Sequence, residues 1–101
     1  MTPPSPQNAY NKVKQIIDLS YAYQQEKLRA TYAIQYDTLK RLYQERLKKV
    51  VSDVDIGRER RQYVEVVEQT TRQYLLWVEA VEKKQADVLT EYRKKYLEGA
   101  V

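Results

Sequence analysis

Residues 10–50 read YNKVKQIIDLSYAYQQEKLRATYAIQYDTLKRLYQERLKKV, and the spacing of their tyrosines decides the fold. Tyr10, Tyr21, Tyr32 and Tyr43 stand 11 residues apart, and Ile17, Leu28, Leu39 and Val50 form a second column of the same period. Val13, Tyr36 and Leu47 complete helical steps of three and four, with Gln25 as the one polar interruption. Eleven residues over three turns is about 3.67 per turn, close to a relaxed α-helix. Such a stripe stays on one face of a nearly straight helix and does not wind into the left-handed supercoil of a leucine zipper.

Towards the C-terminus the device recurs. Tyr63, Tyr74 and Tyr96 share a column in which Gln85 takes the missing place, beside Val66, Trp77, Val88 and Val67, Val78, Leu89. Carried forward from the first stripe, the Tyr column would reach Val54 and then Glu65, whereas the second set starts at Tyr63. This slip of two residues marks a break in the chain. Ser52-Asp53-Val54-Asp55-Ile56-Gly57 has the chemistry for it: Lys48 and Lys49 suit a helix C-terminus, Asp53 or Asp55 can cap the next helix, and Gly57 tolerates unusual backbone angles. The reading is all-α: a helix over 8–51, a turn over 52–57 and a helix over 58–98, folded into an antiparallel two-helix hairpin with an 11-residue repeat, with a single continuous helix, for which Val54 and Ile56 speak, as the alternative. The short connection sets Tyr32 near Trp77 and Tyr21 near Val88.

At the other end, all three prolines fall within Met1–Pro6, so residues 1–7 are expected to form a flexible Pro-rich tail outside the single hairpin domain 8–98. Either Ser5 followed by Pro6, or Asn8, can cap the first helix. The tail has neither the basic start nor the apolar run of a secretory signal, and no stretch is apolar enough for a membrane span. The location expected is intracellular, cytoplasmic or virion-internal.

Composition narrows the chemistry. The 101 residues contain no Cys and no His, which removes disulfides, thiolate nucleophiles, imidazole bases and the usual nitrogen and sulfur zinc sites. Glu65 with Glu68, and Glu79 with Glu82, share helix faces, but di-metal carboxylate bundles add a His three residues after a Glu. No catalytic residue, metal, cofactor or small-molecule substrate is expected.

Two long helices make a thin core, and ten of the apolar residues are Tyr, whose hydroxyl needs a partner when buried. Apolar residues also lie off the main stripe, at Ile16, Leu19, Tyr23, Ile34, Leu42 and Val51 in the first helix and Val64, Leu75 and Leu76 in the second. One partner helix cannot cover faces that wide, so dimerisation into a four-helix bundle is expected. Tyr21, Leu28, Tyr32, Leu39, Tyr43, Tyr74, Trp77, Val78 and Leu89 are the expected core or interface residues, with Trp77 packing mid-hairpin and Tyr23 exposed.

The turn gathers basic side chains, of which Lys48, Lys49, Arg58, Arg60 and Arg61 are the candidates for contacting nucleic-acid phosphates; against this, the charge is only +4 and Glu45, Asp53, Asp55 and Glu59 are interspersed, as on an ordinary solvated surface. Regular Tyr columns suit base stacking too, yet they share a face with Ile17, Leu28, Leu39 and Val50, which makes packing the simpler role. The 11-residue period resembles the lipid-binding repeats of synucleins and exchangeable apolipoproteins, whose characteristic repeat motifs are absent, and membrane binding is not favoured. In size and outline the hairpin resembles the WXG family of secreted substrates, but Asp55-Ile56-Gly57 has no Trp. The expectation is a non-enzymatic helical assembly or protein-interaction module, structural or adaptor in role and a candidate virion component, acting as a homo-oligomer, a dimer foremost, or with a protein partner. The alternative is a nucleic-acid-binding protein that uses its basic ends.

Overall fold

The computed structural model describes residues 5–98 as two long helices, α1 (Pro6–Leu47) and α2 (Asp53–Arg93), with the chain closing on a π-helical turn, Lys94–Glu98. The two helices form a hairpin. The expected tail lies largely outside the described residues, and α1 starts two residues earlier than expected. Of the two candidate caps, Ser5 is the one used: its hydroxyl accepts from the Asn8 amide at 3.2 Å, its carbonyl accepts from Ala9 at 3.0 Å, and Pro6 takes the first helical position.

The turn is the main correction. It occupies 48–52, not 52–57, and α1 closes through short-range bonds from Lys49 to the Arg46 carbonyl and from Val50 to the Leu47 carbonyl, at 3.1 and 3.4 Å. Ser52 caps α2, accepting the Asp55 amide on its hydroxyl at 3.2 Å and the Ile56 amide on its carbonyl at 3.0 Å. Asp53 and Asp55, read as caps, instead lie in the first turn, where their charge suits the helix dipole. Gly57 is already inside α2 with ordinary helical angles. Sequence reasoning gave the glycine a turn role; the hydroxyl at Ser52 satisfies the helix start sooner, so no unusual backbone angle is needed.

Contacts divide the chain into two units: one comprises residues up to Glu26 together with those from Val78 onward, the other Lys27–Trp77. In the second unit Tyr32 stacks on Tyr74 (centroids 4.6 Å apart, planes at 15°) and Tyr43 on Tyr63 (4.3 Å, 10°). Tyr32 therefore lies beside Tyr74 and not, as expected, beside Trp77, about one turn further along α2. The earlier turn accounts for the shift, because α2 begins before its expected start. In the first unit the Gln85 amide donates to Asp18 at 2.9 Å, fixing the level at which the helices meet there.

Candidate interaction surface

The side chains between the helices are those of the 11-residue columns. Tyr21 is buried, the only hydrophobic residue in that state among those described. In the first unit Val78 and Leu89 are half-buried with it; in the second so are Leu28, Tyr32, Leu39, Tyr43 and Tyr74. Polar atoms within the stripe find partners: the Tyr32 hydroxyl and Thr71 Oγ1 are 2.6 Å apart, and Asp18 Oδ2 takes an ion pair from Lys14 at 3.2 Å while Oδ1 accepts from Gln85. The hydrogen bonds from Gln85 and Lys14 hold the Asp18 carboxyl below its ordinary pKa. Desolvation, followed by the adjacent Tyr36 hydroxyl and then Tyr43, pushes the Tyr63 phenol above its own. Thr71 and the Asp18–Gln85 pair were not singled out from the sequence, although Gln85 standing in a Tyr column was the visible trace of a polar partner across the seam.

Trp77, expected as a core or interface residue packing mid-hairpin, is not inside the seam. It is 43% exposed and lies at the edge of the seam, because Tyr74 takes the level opposite Tyr32 and Val67 and Val78, not the Val66–Trp77 column, turn inward. Tyr23 is 63% exposed, in keeping with its off-stripe position.

Around Trp77 the second unit has an edge of distinct composition. One shallow cleft is lined by Ile34, Gln35, Thr38, Leu39, Gln69, Thr70, Gln73 and Trp77. It adjoins a second cleft of about 130 Å³ lined by Leu39, Leu42, Tyr43, Arg46, Glu59, Gln62, Tyr63 and Val66. Their only charged lining residues are Arg46 and Glu59, which face each other at 3.8 Å. A chain in which 32% of residues are charged thus keeps one continuous edge almost free of charge, with Ile34, Leu42, Val66 and Trp77 all exposed along it. This edge is legible in the sequence only in part: Ile34 and Leu42 lie off the main stripe, while Thr38, Gln69, Thr70 and Gln73 carry no signal individually.

At the turn, Lys48, Lys49, Arg58, Arg60 and Arg61 are all exposed. Lys48 pairs with Glu45 at 3.2 Å and Arg58 with Asp55 at 3.3 Å, whereas Lys49, Arg60 and Arg61 make no ion pair among the described residues. These are surface pairs of small energetic weight. No group of three His, Cys, Asp or Glu side chains converges among the described residues, and no helix is long and apolar enough to cross a membrane. Near the C-terminus Tyr92 and Tyr96 pack with centroids 6.3 Å apart, and the Lys95 ammonium lies 5.7 and 5.9 Å from the two rings. No family model, curated protein or solved structure matches the chain.

Proposed function

We propose that the protein is a non-enzymatic assembly module, a helical hairpin that works by burying its surplus apolar surface against a second copy, most simply as a four-helix bundle. The observation that carries this reading is the surface itself. Among the described residues the helices leave many large hydrophobic side chains open to solvent. They include Ile16, Leu19, Ile34, Leu42, Leu76 and Trp77, each more than two-fifths exposed. At about 25 cal/mol per Å², burying several hundred Å² of apolar surface contributes on the order of 10 kcal/mol before association and ordering costs. With Tyr21 the sole buried hydrophobic residue among those described, that contribution is comparable to the stability of a whole small domain. The role is structural or that of an adaptor, and an intracellular or virion-internal setting suits it.

Placing a charge in the seam tests the reading. Leu28→Lys and Leu39→Lys are expected to abolish both the oligomer and helicity, because seam and assembly share one apolar network; unchanged native mass and helicity in both variants would refute it. The second reading, contact with nucleic-acid phosphates, rests on the exposed Lys49, Arg60 and Arg61, which have no acidic partner among the described residues. Lys48 and Arg58 are each held by a carboxylate in the mixed-charge surface around them, which favours assembly as the primary role.

A further inference from the structure

We infer that two copies dock through the uncharged edge of the second unit, each inserting its Trp77 into the cleft between Leu42 and Val66 of the other. The inference rests on the assembly reading and names the face and the contact.

An isologous dimer requires a surface that is its own complement. At one end of this edge the Trp77 indole, 43% exposed, lines the first cleft, and at the other lies the cleft of about 130 Å³. Trp77 and the middle of that cleft, near Tyr63, are 14 residues apart on α2, or roughly 21 Å at 1.5 Å per residue. Leu39 lines both clefts, and Thr70 lies midway between Tyr63 and Trp77 in sequence. A two-fold axis passing near those two residues exchanges the ends, so each indole meets the other copy's recess.

The residues between the ends fit a second copy better than a partner of opposite charge. Gln69 and Gln73 each carry both a donor and an acceptor, so a glutamine of the other copy can satisfy them. A chain of net charge +4 repels its own copy, and this is an edge where two such chains can approach without setting like charges face to face. The opposite edge of this unit, by helical spacing, presents Val64 and Leu75 together with Lys40 and Glu68, and lacks that property.

Trp77 is the only tryptophan, so its fluorescence reports this contact in the unmodified protein. Dilution is followed by light scattering and by Trp emission together, with circular dichroism on each variant. The expected result is a dimer whose emission shifts to the red as it dissociates, a dissociation constant raised at least about tenfold by Trp77→Ala and by Val66→Glu, and no such change for Leu75→Glu. A dimer whose emission does not change on dissociation, and whose mass survives Trp77→Ala, overturns this face while leaving the assembly reading standing. A monomer at every concentration overturns both.

Discussion

Tyr43 lies nearly flat against Tyr63, ring centroids 4.3 Å apart, and this contact joins α1 to α2 close to the turn. Because the turn itself holds only short-range backbone bonds, the stacked pair sets the level at which the helices leave it. Aromatic pairs of this kind contribute about 0.5–1.5 kcal/mol beyond the area they bury. A double-mutant cycle with Tyr43→Ala and Tyr63→Ala, read by urea unfolding, is expected to return a coupling in that range. Additive effects would show that the rings merely fill space.

The start of α2 yields two substitutions of opposite sign. Gly57 has helical angles, and a Cβ built on it meets nothing within 4 Å, so Gly57→Ala is expected to stabilise by about 0.5–1 kcal/mol through the unfolded chain's lost freedom. Ser52→Ala removes the hydroxyl that holds the Asp55 amide and is expected to cost about 1 kcal/mol. Thermal unfolding measures both. A destabilising Gly57→Ala would return the glycine to the turn role its sequence position first suggests.

Stability is expected to fall at both extremes of pH, for assignable reasons. Asp18 has a folded pKa below its unfolded one, so its contribution is present above the ordinary carboxylate range and is lost as pH falls through the folded value. Asp18→Asn should flatten that acid limb. Tyr63 has a folded pKa above its unfolded one, so its contribution is intact below about pH 10 and is lost as pH rises through the folded value. Tyr63→Phe should flatten the alkaline limb, checked by denaturant midpoints across the pH series.

Charge reversal at the turn separates the two functional readings. Changing Arg58, Arg60 and Arg61 together to Glu is expected to leave native mass and helicity unaltered, since all three are exposed and only Arg58 is paired. Loss of the oligomer in that variant would place the assembly contact at the turn.

The helical class and the seam were legible because the 11-residue columns record which face each helix buries: Tyr32, Tyr43, Tyr63 and Tyr74 all lie in the seam. The register was not legible, because it depends on where the turn closes. Ser52 and Gly57 are both credible punctuation, and only the hydrogen bonds of the folded chain decide between them. The level of Trp77 was not legible for a related reason. A large aromatic one position off the seam looks like core until the register puts Tyr74 in its place. The uncharged edge was hidden because it combines residues from two helices whose alignment the one-dimensional pattern does not fix.

Native mass in solution decides whether the exposed apolar surface is buried against a second copy. Size exclusion with light scattering, at low and moderate salt on protein cleared of nucleic acid, is expected to show a discrete dimer whose mass does not depend on salt. A monomer under both conditions would contradict the account and turn attention to a different protein, a membrane surface or a nucleic acid as the partner of this face.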